Sequence, residues 1–318
     1  MHDYGYVVVN TKIDTDHIKQ LFWRDLQKIN PKLLNVDISQ LWNLQSGMDY
    51  PTPTMQGLVG EYGLSHGEAA WHIRCNDVIK GIFSQLLFTQ RLVVSFDAIG
   101  YSTDLDKNSE SGWLHVDQNP YAASPMSSGS PSLQGIFYAE DVKGNCATTV
   151  VLPGSHKMWR NHVYTSRSHF QIVDTILEEH ATRLVLKAGD LLIFNSKLVH
   201  QGWHGPHRLC FMVSYGLKDD RTEQVRRRKI MMYLNCYRSS HWSQLGLPHG
   251  YKITQGNAFR VLKPTLQHPE TPSIKDKVMW AHDAKTLQAL AERADPASEL
   301  EYKSKYLPYI PSDILQLL

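Results

Sequence analysis

Residues 189–217 read "GDLLIFNSKLVHQGWHGPHRLCFMVSYGL". "AGD" at 188–190 is a tight turn, and three short runs follow: "DLLIFN", "LVHQGW" and "RLCFMVSYGL". Apolar runs of this length, bounded by Gly, Pro, Asn and Ser, read as buried strands rather than helices. Alternation in the last run sets Arg208, Cys210, Met212 and Ser214 on one face and Leu209, Phe211, Val213 and Tyr215 on the other. Both faces are largely apolar, so the strand is covered on both sides and its arginine needs an anion.

Working upstream, the same texture continues back to residue 91, in "RLVVSFDAI" (91–99), "GWLHVDQ" (112–118), "LQGIFYAED" (133–141), "ATTVVLPG" (147–154) and "TRLVLKAG" (182–189). Short strands punctuated by turns indicate a sandwich or barrel, not a doubly wound parallel sheet. A helical insertion is expected at about 167–181, and "NPYAASPMSSGSPS" (119–132) reads as a mobile loop.

Before the β series, "GYVVVN" (5–10) reads as an opening strand. A helix is expected at 14–29, with Ile18, Leu21, Phe22, Leu26 and Ile29 on one stripe behind an Asp14/Thr15 cap and Pro31 beyond its end. Residues 44–68 read as a long loop and 76–89 as a second helix. Downstream, helices are expected near 219–235, 283–294 and 311–318. The expected organisation is a β domain with N-terminal helices over 1–218 and a mostly helical extension over 219–318, packed together as one structural unit.

The 318 residues carry 33 basic and 31 acidic side chains, which gives no global electrostatic footprint for nucleic acid or anionic membrane. The basic run "RRRK" (226–229) follows Asp219, Asp220 and Glu223 and reads as a solvated face. Four cysteines, Cys75, Cys146, Cys210 and Cys236, have no finger or CxxC spacing and read as core thiols. With no signal peptide or membrane-length apolar run in these residues, a cytoplasmic location is the expectation.

In "WLHVDQNP" (113–120), His115 and Asp117 point to one face of a strand while Val116 faces the other way. A hydrogen-bonded His–Asp pair explains this; so do two ligands of a metal. A third ligand is available in "LVHQGWHGPHR", where His200, His204 and His207 crowd together. His200 begins a strand, whereas His204 and His207 fall in the Gly/Pro turn after it, and a ligand needs a rigid element. His115, Asp117 and His200 make a two-histidine, one-carboxylate set, which leaves positions open on Fe(II). Arg208, eight positions beyond His200, then has a cosubstrate carboxylate as its natural anion.

With those motifs in place, the sequence resembles the phytanoyl-CoA dioxygenase-like branch of the Fe(II)/2-oxoglutarate oxygenases. The resemblance rests on "GYVVV", "VSFDA" (94–98), "WLHVDQ" (113–118), "TTVVLPGSHK" (148–157) and "GDLLIFNSKLVHQG" (189–202), in that order, and on Arg208. It implies a cupin-like double-stranded β-helix (jelly-roll) core, mainly β, with flanking helices. It also implies iron on His115, Asp117 and His200, and 2-oxoglutarate clamped by Arg208. The spacing from His200 to Arg208 is shorter than is usual in that family. Asp117 is present, against the halogenating variants, in which a small residue stands there. Gln134, Trp113, Gln118 and Asn119 border the expected site and are candidates to contact cosubstrate or substrate. Trp71 and Arg74 are further pocket candidates, and His156 in "PGSH" is read as a turn residue. The activity implied is hydroxylation of a C–H bond of a small-molecule substrate with O2, releasing succinate and CO2. A cupin-like metal enzyme of another class and a non-catalytic ligand-binding protein are the alternatives.

Overall fold

The computed structural model describes residues 1–53, 57–107, 113–117, 132–157, 164–165, 170–171, 175–234, 236–239, 241, 259–260, 262 and 307–318. Strand β1 (Tyr6–Asn10) leads to helix α1 (Thr15–Ile29). The helix starts where the Asp14 carboxylate accepts from the amides of Asp16 and His17. Its stripe of Ile18, Leu21, Phe22, Leu26 and Ile29 is buried, and it stops at Asn30, ahead of Pro31. Helices α2 (Glu68–Arg74) and α3 (Asp77–Leu87) follow, the second capped by the Asn76 side chain. Asp25 ties α1 to α2: its buried carboxylate accepts from the amides of Glu68 and Ala69 at 3.0 Å each.

The strands are β2 (Leu58–Val59), β3 (Leu92–Val94), β4 (Ile99–Ser102), β5 (His115–Val116), β6 (Leu133–Tyr138), β7 (Thr148–Val151) and β8 (Tyr164–Thr165). They continue with β9 (Phe170–Gln171), β10 (Thr182–Arg183), β11 (Asp190–Asn195), β12 (His200–Trp203), β13 (Arg208–Met212) and β14 (Tyr215–Leu217). One six-stranded antiparallel sheet has the order β1-β11-β6-β13-β4-β2, and a second has the order β10-β7-β12-β5-β9-β8. A short β14-β3 ribbon forms a separate two-stranded sheet. Together the two sheets form the cupin-like double-stranded β-helix.

Period-two alternation divides the core. Leu191, Ile193, Leu209 and Phe211 face outward to a large cluster with α1 and its neighbours. There the Phe22 ring meets Tyr101 at 5.0 Å and Phe211 at 6.2 Å between centroids. Leu192, Phe194 and Cys210 face inward with Ile136, Tyr138 and Val151. The face that carries Arg208, Cys210 and Met212 is therefore the inner one. Helices α4 (Glu223–Leu234) and α5 (Ser312–Leu317) add Ile230, Tyr233, Ile314 and Leu317 to the outer cluster. All four cysteines are free, and no described helix is long and apolar enough to cross a membrane.

Several local expectations change. The run 91–99 breaks into β3 and β4, because 95–98 leaves the ladder to pair with the segment after α4: the Ser239 amide donates to the Phe96 carbonyl at 2.9 Å. The loop expected at 44–68 contains β2, recruited by β4. The expected helical insertion at 167–181 is replaced, among described residues, by β9 and a 3-10 helix at Thr175–His180; pairing of β9 with β5 overrides the local propensity. The helix expected at 283–294 and almost all of the loop expected at 119–132 lie outside the described residues.

Candidate metal centre

His115 and His200 are brought together by register. They are direct partners across the antiparallel β5–β12 pair, so their side chains leave the same face. Asp117, two residues past His115, joins them, with its amide donating to the Ser196 carbonyl at 3.2 Å. The ligating atoms of His115, Asp117 and His200 all lie within 4.8 Å of one another.

Each imidazole is fixed by a main-chain carbonyl two residues back. His115 Nδ1 is 3.0 Å from the Trp113 oxygen, and His200 Nδ1 is 2.8 Å from the Leu198 oxygen. A carbonyl only accepts, so both Nδ1 atoms carry hydrogen. The Nε2 atoms are turned to Asp117, at 3.4 Å for His115 and 3.1 Å for His200. Trp113 stacks on the His115 ring at 4.0 Å and 11°, and the Trp113 amide donates to Gln201 Oε1 at 2.8 Å. Gln134 on β6 donates to Asp117 Oδ2 at 2.7 Å and to Ser196 Oγ at 3.3 Å.

The electrostatics follow from burial and proximity. Burial opposes ionisation of Asp117, but His241, His200 and His115 around it hold the carboxylate well below the usual range. His115 is lowered by burial and by its neighbour His200. His200 is raised: burial works against its charged form, and the Asp117 carboxylate outweighs it. Two Nε2 atoms and a carboxylate converging in a buried space need a proton or a cation among them. The donor set is the one that suits Fe(II), with each imidazole already oriented through its other nitrogen. The residues present therefore fit an iron ion.

The cavity over this centre measures about 170 Å³. Trp113, Gln134, Ile136, Phe194, Met212 and Arg208 line it together with the triad. Arg208 is buried at 3% exposure, its Nε donating to Cys210 Sγ at 3.1 Å and its guanidinium 5.9 Å from the Tyr138 ring centre. No carboxylate pairs with it among the described residues, so an anion in the cavity would be its natural partner. A Cβ on Gly100 would come within 2.6 Å of Cys210 Sγ and 3.0 Å of Arg208 Nε. Glycine is thus what lets the arginine lie across β4.

Other sequence candidates fall elsewhere. His207 is in the β12–β13 turn, paired with Asp104 at 2.6 Å and stacked on Trp42, and His204 lies against Gly57. His156 sits in a 3-10 turn, bonded to the His2 carbonyl. Arg74 is neither at the surface nor in the cavity wall; it is buried, donating to the Ser65 and Asp97 carbonyls beneath Trp71. Gln118 and Asn119 lie outside the described residues. Gln201, Gly100, Asp97 and His241 are the site residues that sequence reasoning missed. Asp97 lies within the strand run 91–99 and Gly100 just after it, but neither was assigned a role at the site from the sequence.

The model of the phytanoyl-CoA dioxygenase (PhyH) family matches residues 1–204. The chain belongs to the PhyH family. No curated protein matches this PhyH chain. Among solved structures, the hypothetical protein JW0805 from Escherichia coli aligns over 77% of this chain and 74% of its own, at 12% identity and a TM-score of 0.50. EctD from S. alaskensis, with 2-oxoglutarate and 5-hydroxyectoine, covers 70% of this chain and 75% of its own, at 14% identity and a TM-score of 0.47. The epimerase SnoN, in complex with Fe3+, alpha ketoglutarate and nogalamycin RO, covers 68% and 80%, at 16% identity and a TM-score of 0.43. The JW0805 likeness is one of fold. PhyH membership and the His115–Asp117–His200 cluster together point to an Fe(II)/2-oxoglutarate-dependent oxygenase, with iron and 2-oxoglutarate as its cofactors.

Proposed function

We propose that His115, Asp117 and His200 hold Fe(II), that Arg208 clamps the distal carboxylate of 2-oxoglutarate, and that the protein hydroxylates a C–H bond of a small molecule. The observation that carries the reading is the commitment of both Nδ1 atoms to main-chain carbonyls, which leaves Nε2 of each histidine facing Asp117 below a cavity that also contains Arg208. Fe(II) bound there supplies the oxidative decarboxylation of 2-oxoglutarate by O2, to succinate and CO2, coupled to oxidation of the substrate C–H bond.

The chain's own residues do the rest. Gln134 holds Asp117 Oδ2 by a 2.7 Å bond, fixing the carboxylate plane against the imidazoles. Trp113 braces the His115 ring. Arg208 offers a carboxylate two parallel N–H groups at the inner wall of the first sheet. Ile136, Phe194 and Met212 line the cavity with apolar surface, which limits water near the reacting centre. A volume of about 170 Å³ lies below the ~300–1,000 Å³ usual for ligand sites and favours a small substrate.

The test is anaerobic addition of Fe(II) and then 2-oxoglutarate, watching for the visible charge-transfer band of the chelate. Wild type should develop the band and His115→Ala should lose it. Arg208→Ala should need about tenfold or more 2-oxoglutarate to reach half its amplitude, since a charge-assisted carboxylate contact is lost. Iron binding with no band would overturn the cosubstrate assignment in favour of a cupin-like metal enzyme of another class. Failure to bind iron would overturn the metal site itself.

A further inference from the structure

Arg208 has a wall opposite it. On the first sheet, Cys210 is the cross-strand partner of Gly100 on β4 and of Tyr138 on β6. The Arg208 guanidinium lies at that level, since a Cβ on Gly100 would come within 3.1 Å of Arg208 Cζ, and it is 5.9 Å from the Tyr138 ring centre. On the second sheet, Val151 is the partner of His200, and Thr149 is the partner of Gly202. Val151 faces inward, so Thr149, two residues before it on β7, faces inward as well. Thr149 and Gly202 both line the cavity with the triad and Arg208, and Gly202 puts no side chain over the threonine.

Tyr138 spans the gap between the two sheets. Its hydroxyl is 2.8 Å from Thr149 Oγ1, and both residues are buried. Either oxygen of such a pair can donate, and Arg208 fixes the direction. A guanidinium only donates, so the Tyr138 oxygen beside it takes the accepting role and turns its own hydrogen toward Thr149. Burial works against the charge of Arg208, and Cys210 and Tyr138 beside it outweigh burial. Thr149 Oγ1 then accepts from Tyr138, and its one hydrogen is left for the cavity. Thr149 makes no other side-chain hydrogen bond among the described residues. The main chain holds it in place: the Leu184 amide donates to the Thr149 carbonyl at 3.0 Å, and Thr148 Oγ1 donates to the Leu184 carbonyl at 2.7 Å.

Two residues of strand separate the level of Thr149 from that of Val151 and His200, a step of ~6.6 Å. That step suits the two methylenes between the chelating 2-oxo acid end of 2-oxoglutarate and its far carboxylate. Resting on the oxygenase reading above, we propose that Thr149 is a second donor to that far carboxylate, facing Arg208 across the cavity, and that Tyr138 is the positioning residue that aims its hydrogen. One carboxylate oxygen takes the guanidinium of the first sheet and the other takes the hydroxyl of the second, so the cosubstrate bridges the two sheets. A hydroxyl donating to a carboxylate belongs to the stronger, charge-assisted class of hydrogen bonds.

The experiment measures binding without turnover. Anaerobic protein with Fe(II) is titrated with 2-oxoglutarate and, separately, with 2-oxopentanoate, the same carbon chain ending in a methyl, and the half-saturation of the chelate band is read. Thr149→Val, which exchanges the hydroxyl for a methyl, should need about tenfold or more 2-oxoglutarate, and Thr149→Ser should bind like wild type. Fe(II) affinity and half-saturation by 2-oxopentanoate should be the same in all three. Tyr138→Phe should weaken 2-oxoglutarate less than Thr149→Val does, because the threonine hydrogen is misdirected rather than lost. A folded Thr149→Val protein that binds 2-oxoglutarate as wild type does overturns the proposal. So does a Thr149→Ser protein as weak as Thr149→Val, or a loss that is equal for 2-oxopentanoate. A thermal melt accompanies each variant; if Thr149→Val does not fold, Thr149→Ala is read in its place. Absence of the chelate band in wild type is a different failure, that of the oxygenase reading.

Discussion

Gly100→Ala should cripple the cosubstrate end of the cavity without touching the metal. The added methyl would sit 2.6 Å from Cys210 Sγ, 3.0 Å from Arg208 Nε and 3.1 Å from Arg208 Cζ. Ordinary carbon contacts begin near ~3.5 Å, so the sulfur and the guanidinium must both retreat by roughly 0.5–1 Å. Cys210 is wholly buried on a central strand and has little room to move, which leaves Arg208 as the group that gives way. Overpacking of this kind costs about 1–3 kcal/mol of stability. Displacing a guanidinium from a carboxylate loses a charge-assisted bond of about 1.5–3 kcal/mol, or roughly tenfold to a hundredfold in affinity. The assay is the half-saturation of the Fe(II)–2-oxoglutarate band, with iron binding and the melting temperature measured beside it. The double variant Gly100→Ala/Cys210→Ala should recover part of the loss, because it removes the closer of the two contacts. If folded Gly100→Ala binds 2-oxoglutarate as tightly as wild type while Arg208→Ala does not, the close-approach reasoning is wrong. If neither variant weakens it, Arg208 is not the clamp.

Three further outcomes follow from other contacts. Gln134→Leu removes the donor to Asp117 Oδ2 and should weaken Fe(II) binding by about 10–100-fold, measured by competition with a chromogenic chelator; unchanged affinity would show that Gln134 does not orient the carboxylate. Burial pushes the Asp25 carboxyl up to about 7, against the pull of the Glu68 and Ala69 amides. A raised folded-state value means that this contribution is complete below pH ~4 and lost as pH rises through ~7, a change on the order of 4 kcal/mol. Urea midpoints of wild type should therefore fall across that window relative to Asp25→Asn, and parallel curves would refute it. Phe22→Ala empties the ring site between Tyr101 and Phe211 and should cost about 3–5 kcal/mol by urea melts; a loss under ~1 kcal/mol would mean that α1 is not pinned by this cluster.

What could be read from the sequence followed the strength of the local pattern. The alternation through 208–215 grouped Arg208 with Cys210 and Met212 on one face, and His115-x-Asp117 placed two side chains on one face, because strand periodicity needs only a few residues to declare itself. The choice of His200 over His204 and His207 came from the difference between a strand and a turn, and the β5–β12 register puts His200 opposite His115. Strands β2, β8 and β9 are two residues each, too short to carry a period, and exist because a neighbour offers them hydrogen bonds. Asp97 and His241 sit in "VSFDA" and "RSSHW", stretches that resemble the family, yet nothing in either placed them at the cavity. They reach the cavity through a clamp between Phe96 and Ser239, residues 143 apart in the chain.

Strands β12 and β13 are consecutive in the chain but lie in opposite sheets, and they carry His200 and Arg208. The short spacing between them is a tight four-residue connection, fastened from outside by the Ala147 amide on the Pro206 carbonyl and by His207 on Asp104 and Trp42. The proposed metal ligand and the proposed anion clamp are thus coupled through one short crossover between the sheets. A shift of that crossover would change the reach to the ion and the reach to the carboxylate together, so a turn outside the cavity bears on the length of the chelate that fits between them. Lengthening that turn by a residue would retune both at once, the way moving the pivot of a caliper resets its jaws.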